Sequence, residues 1–231
     1  MRGGKYQRWG LGIESPIYKC KNCSLLYKKN LEEHKHKVIL FQKFNKDVKQ
    51  VIETDYYKEQ ISENRSIIKK ILNIIKKKPN KILDYGCGYG VFMFAAKELG
   101  FTANGYDINK NFTENLANYF QTFKSEIDLL NNENLKKYDL IFCRKVLTLS
   151  SSIYEDFSNF NELLSSNGYL VIMDQVKNFS KYKSMISQNN TNNTLLLTIE
   201  ALQFYANAFD LRTEYIKNNF GDVFIVFERK K

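Results

Sequence analysis

Asp84 closes a short apolar run and is followed by three glycines at alternate positions, Gly86, Gly88 and Gly90, in the stretch KILDYGCGYGVFMF. A carboxylate at such a place can hold a cation, and positions without side chains let a ligand lie directly on the backbone. An apolar run from Val91 reads as a helix whose first N–H groups face the same spot. Further on, Asp107 ends a second apolar run in GYDIN, where a carboxylate can accept both hydroxyls of a ribose. Together the two acids ask for a ligand with a ribose at one end and a cationic group at the other. A dinucleotide fits poorly. Counted from Gly86, the sixth position of G-x-G-x-x-G is Val91, and a pyrophosphate gives no reason for Asp84.

The surrounding elements must bring both acids to one edge. Ile68, Ile71, Leu72 and Ile75 recur at helical spacing, predicting a helix from Asp55 to Lys78 that Pro79 stops. Lys81–Asp84 reads as a strand, Val91–Leu99 as a helix closed by Gly100, and Ala103–Tyr106 as a second strand. Residues 110–120 read as a helix and Phe120–Lys124 as a weak strand. Tyr138–Cys143 follows as a buried strand, then Tyr154–Leu164 as a helix, and Asn167-Gly168 turns into the strand Tyr169–Met173. SQNNTNN at 187–193 reads as a loop or insertion, and Thr198 caps a helix through Phe209. Arg212–Lys217 and Asp222–Glu228, separated by NNFG, form a closing hairpin. Strands alternating with helices mean an α/β fold, a mostly parallel sheet covered on both faces, with the hairpin as an antiparallel edge. In such sheets ligands sit beyond the carboxyl ends of the strands, where both acids fall.

Length and composition narrow the alternatives. The 231 residues suffice for one full-sized core with an appendage. No apolar run is long enough to span a bilayer, and the start of the chain lacks the apolar core of a secretory signal. Four cysteines do not make a disulfide framework and are expected as reduced thiols in a cytoplasmic protein. The net charge of +10 is unevenly placed: residues 1–82 hold 20 Lys/Arg and 8 Asp/Glu, whereas residues 83–231 balance at −2. A basic arm suits an anionic partner, but the same residues also make an ordinary solvated face, and no nucleic-acid module accompanies them.

S-adenosylmethionine has both the ribose and the cationic amino-acid end. LDYGCGYG followed by GYDIN resembles the first two motifs of the class I S-adenosylmethionine (SAM)-dependent methyltransferases. The resemblance extends more weakly over residues 55–231, with YDLIFCRKV similar to the family's fourth strand and SSNGYLVIMD to its fifth. It implies a Rossmann-like sheet of seven strands ordered 3-2-1-4-5-7-6, preceded by a small irregular basic segment at residues 1–54. It implies, too, that Asp84, Gly86, Cys87, Gly88 and Gly90 contact the methionine part, Asp107 the ribose and Ile108 the adenine ring. An acid after the third strand meets the adenine amino group; Asp128 is the first candidate and Glu126 the second. Cys143 and Arg144 would line the sulfonium, and Tyr57, beside Tyr56, would close over the cofactor or simply pack.

Methyl transfer from a sulfonium is an in-line displacement, so alignment and exclusion of water come first, and a hydroxyl acceptor also needs a base. The fourth strand leads into KVLTLSSS, without the acid-histidine pair of many small-molecule members. Asp174, at the end of the fifth strand, is either that base or a turn-capping acid; His34 and His36 are either catalytic or plain surface residues. Cys20 and Cys23 form a single C-x-x-C where structural zinc commonly needs four ligands, so zinc is not expected. The pair resembles the second knuckle of a ribbon that precedes some sugar methyltransferases. That resemblance implies a small polar acceptor, a sugar hydroxyl or a nucleotide-activated, phosphate-bearing precursor in surface-polysaccharide biosynthesis. The alternatives are an RNA or protein methyltransferase using the basic arm, and a protein that binds SAM without turnover. Oligomeric state is open.

Overall fold

The computed structural model describes residues 17–28, 48–131, 137–176, 195–219 and 222–230. His34, His36, the stretch 187–193 and the tip of the closing hairpin at 220–221 lie outside them.

In chain order the strands are β1 (Ile17–Lys19), β2 (Leu26–Lys28), β3 (Lys81–Tyr85), β4 (Thr102–Tyr106) and β5 (Thr122–Phe123), then β6 (Tyr138–Arg144), β7 (Leu164–Gln175), β8 (Leu195–Leu196), β9 (Leu211–Asn219) and β10 (Asp222–Arg229). Seven of them form one sheet in the order β5-β4-β3-β6-β7-β10-β9. Counted along this sheet alone, that is the expected 3-2-1-4-5-7-6. All pairs from β5 to β7 are parallel, while β10 runs antiparallel to both β7 and β9.

Side chains alternate between the two faces of each strand, and the sequence obeys this through the central strands. Ile82, Leu140, Phe142 and Val171 pack on one face against Ile68, Ile71 and Ile75 of α2 (Asp55–Ile75) and Phe92, Ala95 and Ala96 of α3 (Val91–Glu98). Leu83, Ile141, Leu170 and Ile225 face the other way. They meet Leu129 of α5 (Glu126–Leu130), Phe157 and Phe160 of α6 (Ile153–Leu163) and Leu202 of α7 (Ile199–Ala208). Two short helices, α1 (Val48–Ile52) and α4 (Lys110–Leu116), complete the description.

Boundaries follow local chemistry. Thr54 caps α2, its hydroxyl accepting from the Tyr57 N–H. The helix ends at Ile75 rather than Lys78, because Lys76 turns left-handed at φ 50° and the residue ahead of Pro79 is pushed towards extended backbone. Ser152 and Glu155 begin α6 in the Ser-x-x-Glu arrangement, the Glu155 N–H donating to Ser152 Oγ at 3.3 Å. Asn167-Gly168 does not separate helix from strand. It lies inside β7, where Asn167 adopts φ 60° and the pairing with β6 shifts register between Tyr138 and Leu140.

Part of the segment expected to be irregular is a hairpin. β1 and β2 pair antiparallel around the Cys20–Cys23 turn, and β2 pairs in turn with β8. Cys23 and Leu25 join the same apolar cluster as α6 and α7. No helix among the described residues is long and apolar enough to cross a membrane.

Candidate functional site

Parallel pairing sets Asp84 beside Gly105 and Tyr85 beside Tyr106, so Asp84 and Asp107 stand at neighbouring strand tips. The chain between them folds over the end of β4: the N–H groups of Gly86 and Cys87 both donate to the Tyr106 carbonyl, at 2.7 and 2.9 Å. Gly86, Gly88 and Gly90 all take positive φ, at 85°, 51° and 73°. Space separates their roles. A Cβ on Gly86 would sit 2.2 Å from Val146 Cγ2 and one on Gly90 2.8 Å from Leu116 Cδ2, whereas a Cβ on Gly88 would meet nothing within 4 Å. Gly86 and Gly90 are therefore packing glycines, and Gly88 is the open position.

Asp107 organises this turn. One carboxylate oxygen accepts from the Gly88 N–H at 2.9 Å and the other from the Asn109 N–H at 2.8 Å. Burial pushes its carboxyl above the ordinary range, and those two donors hold it back. Asp84 is buried with no hydrogen bond to its carboxylate among the described residues. Burial first and the nearby Asp107 second push it up to about 8, against the pull of Arg144. A cation held against Asp84 would offset the cost of that buried charge.

Two residues from the expected set tie α2 to this edge. Tyr57 is buried and donates its hydroxyl to the Tyr89 carbonyl at 2.5 Å, inside the glycine turn. Burial, with Asp84 and Cys87 adding repulsion, pushes that hydroxyl's pKa up, so it remains a donor. Its neighbour Tyr56 is 70% exposed. Arg144 reaches Glu63 Oε1 at 3.1 Å and Asn64 Oδ1 at 3.5 Å on α2. Cys87 and Cys143 are buried, and burial pushes both thiols well above their ordinary range. Ile108, next to Asp107, is 55% exposed, an apolar surface offered to solvent.

The acids after β5 behave differently from one another. Asp128 is exposed, with its N–H capped by Ser125. Glu126 accepts from the hydroxyls of Tyr85 at 3.2 Å and Tyr106 at 3.4 Å. Tyr85 also donates to Asp156 Oδ1 at 3.2 Å, so a chain of two tyrosines and two acids runs beneath the strand tips. Asp156 is buried, its Oδ2 lacking a partner among the described residues, and burial pushes it up to about 6. This network was not foreseen. Its signal is an acid on the apolar helical stripe of Ile153, Phe157, Phe160 and Leu163.

Asp174 sits near the end of β7, two strands from Asp84. It accepts from the N–H and hydroxyl of Thr148, at 3.4 and 3.2 Å, and from the Gln175 N–H at 2.7 Å. It thereby clasps the 3₁₀ turn Leu147–Leu149 that follows β6. Burial pushes it up to about 6 while these donors oppose the shift. Among the described residues no group of three or more His, Cys, Asp or Glu is placed to hold a metal.

The chain matches the methyltransferase-domain family over residues 56–220. No curated protein matches it in sequence. Among solved structures it is similar to N-methyltransferase NodS from Bradyrhizobium japonicum, in complex with S-adenosyl-L-homocysteine. That likeness has 12% identity and TM-score 0.57, covering 86% of this chain and all (100%) of that one. A SAM-dependent methyltransferase from Archaeoglobus fulgidus gives 19% identity and TM-score 0.53, covering 71% and 94%. TehB from Haemophilus influenzae gives 17% and 0.56; 71% of this chain is covered, and the chain spans only 62% of TehB. At these identities the structural likeness speaks for the fold. The family match over residues 56–220 joins the strand order and the glycine turn between the acids Asp84 and Asp107, and this chain belongs to the methyltransferase-domain family, in its class I SAM-dependent branch.

Proposed function

We propose that this enzyme moves the methyl group of SAM to a small polar acceptor, a sugar hydroxyl or a nucleotide-activated, phosphate-bearing precursor of a surface polysaccharide, in the cytoplasm. The observation that carries the cofactor half is the pair of carboxylates at adjacent strand tips, Asp84 buried and Asp107 half-buried, with the open Gly88 between them. In this reading Asp84 takes the methionine ammonium and Asp107 keeps its two backbone donors while accepting from the ribose through its remaining lone pairs. Gly86, Cys87, Gly88 and Gly90 supply the floor, Ile108 the adenine contact and Asp128 the partner for the adenine amino group. Glu126 is already engaged by two tyrosines and instead braces α5, which makes Asp128 the better choice. Cys143 and Arg144 flank the sulfonium side, and Arg144 leaves it open by turning to α2.

The protein's part in the displacement is alignment in a dry cleft, with SAM supplying an activated methyl. For a hydroxyl acceptor we assign the proton to Asp174. Its raised pKa makes it a stronger base than an ordinary carboxylate while leaving it mostly ionised at neutral pH. The Thr148 hydroxyl would keep it oriented. His34 and His36 remain second candidates for the same role. The acceptor half rests on the resemblance of the Cys20–Cys23 stretch to ribbon-bearing sugar methyltransferases and on the basic first third.

The test is a turnover screen across nucleotide sugars, sugar phosphates and bulk RNA, reading release of S-adenosylhomocysteine. Product from at least one sugar-bearing phosphate is expected. Methylation of RNA alone would overturn the acceptor assignment. Tight SAM binding without turnover on any substrate would overturn the enzymatic one.

A further inference from the structure

The Cys20–Cys23 turn takes no part in the cofactor site and lies on the opposite face of the sheet from Asp84, against α6 and α7. Its two sulfurs have unlike surroundings. Cys20 is half-buried at the surface, while Cys23 is only 4% exposed and lies 3.7 Å from the Tyr205 hydroxyl. The turn is tight: Cys20 N–H donates to Leu25 O at 2.8 Å, Ser24 N–H to Cys20 O at 3.1 Å, and Ser24 adopts φ 63°. The turn holds Cys20 and Cys23 on one short loop, and its backbone at Cys23 first and Asn22 second favours the Cys20 thiolate and pulls its pKa below the ordinary thiol value, against the opposing effect of burial. The remaining cysteines, Cys87 and Cys143, are buried and shifted the other way.

An accessible thiolate with a buried thiol just past an intervening pair of residues is the arrangement that reacts with disulfides and then resolves. We infer that Cys20 and Cys23 are a reversible dithiol–disulfide site, with Cys20 the attacking sulfur, Cys23 the resolving one and a small-molecule disulfide of the glutathione class the oxidant. The Cys20 thiolate attacks one sulfur of glutathione disulfide, forming a mixed disulfide and expelling one glutathione thiolate. The Cys23 thiol then attacks the Cys20 sulfur, loses its proton to solvent and expels the second glutathione. Two protein thiols are oxidised, one disulfide is reduced to two glutathiones, and no metal is needed.

The surroundings fit such a site better than a plain packing pair. The turn is anchored on three sides, by β1, β2 and the β2–β8 pairing, so both sulfurs stay in place without being linked. A pair serving only to fill space would bury both sulfurs, whereas here one stands at the surface beside a buried partner.

The experiment exposes the folded, reduced full chain to glutathione disulfide, quenches in acid, and maps cysteine states by mass spectrometry. Loss of two hydrogens confined to the Cys20–Cys23 peptide, reversed by excess reduced glutathione, is expected. Cys23→Ser should trap one glutathione on Cys20, and Cys20→Ser should leave Cys23 unmodified. Alkylation by iodoacetamide near neutral pH should be about tenfold faster at Cys20 than at Cys87 or Cys143. Three results overturn the inference: modification of Cys87 or Cys143 as fast as Cys20, no trapped adduct in Cys23→Ser, or one zinc per chain retained by the protein as purified. The wild-type mapping needs no variant to fold.

Discussion

Cofactor affinity should depend steeply on pH, with Asp84 as the cause. In the cofactor-free enzyme burial and Asp107 push this carboxyl up to about 8, so at neutral pH it is mostly protonated. In the proposed reading the ammonium of the cofactor's amino-acid end pairs with Asp84, which needs the carboxyl ionised. Binding must therefore release a proton, and affinity must rise with pH until Asp84 is ionised in the free enzyme. Between about pH 6.5 and 8.5 the ionised share of such a group climbs from a few per cent to about three quarters, roughly a twenty-fold gain in affinity. Isothermal titration with S-adenosylhomocysteine across that range measures it, and repeating the titration in buffers of different ionisation enthalpy counts the protons. Close to one proton released per ligand is expected near pH 7. Asp84→Asn should bind weakly with the pH dependence gone. A wild-type affinity that changes less than about threefold over this range, or a binding event that releases no proton, would refute the placement of the ammonium on Asp84.

The same carboxyl costs stability. Its native pKa lies above the ordinary 3.8, so the folded chain holds more protons than the unfolded one between about pH 4 and 8, and stability falls as pH rises through that window. Asp84→Asn should therefore raise the unfolding free energy of the cofactor-free protein, measured in urea, by a few kcal/mol at most at pH 8.5 and by about nothing at pH 4. Gly86→Ala should destabilise the fold by about 2–3 kcal/mol in chemical denaturation, because its Cβ would meet Val146 at 2.2 Å on a left-handed backbone. Gly88→Ala, with open space around it, should cost only about 1 kcal/mol of stability yet lose most S-adenosylhomocysteine affinity in titration. Tyr57→Phe removes the bond to the Tyr89 carbonyl. It should lower stability by about 1 kcal/mol and raise the KM for SAM severalfold with kcat nearly unchanged in steady-state assays. Asp174→Asn should depress kcat on a hydroxyl acceptor and abolish an acid limb near pH 6 in the rate profile, with cofactor affinity intact.

The main sheet could be read strand by strand, apart from the start of β7, because its information is local. Ile82 and Leu83 are apolar, each destined for a covered face, and strands that alternate with helices leave few topologies once crossovers share one hand. Asp84, the three glycines and Asp107 were legible for a related reason: left-handed turns demand glycine, and an acid at the end of an apolar strand contradicts burial unless a ligand calls for it. Contacts between distant segments were not legible. Nothing near Tyr57 shows that its hydroxyl will meet the Tyr89 carbonyl, and nothing near Asp174 announces Thr148. The pairing of Tyr85 with Glu126 and Asp156, and of Leu26 with Leu196, likewise joins residues far apart in the chain. Periodicity and turn chemistry act over a few residues, so they set each element and its buried face. Which polar groups meet across elements depends on packing the whole core. That packing turned an apparently irregular C-x-x-C stretch into an anchored hairpin and raised the pKa of Asp84 far above that of a solvated acid.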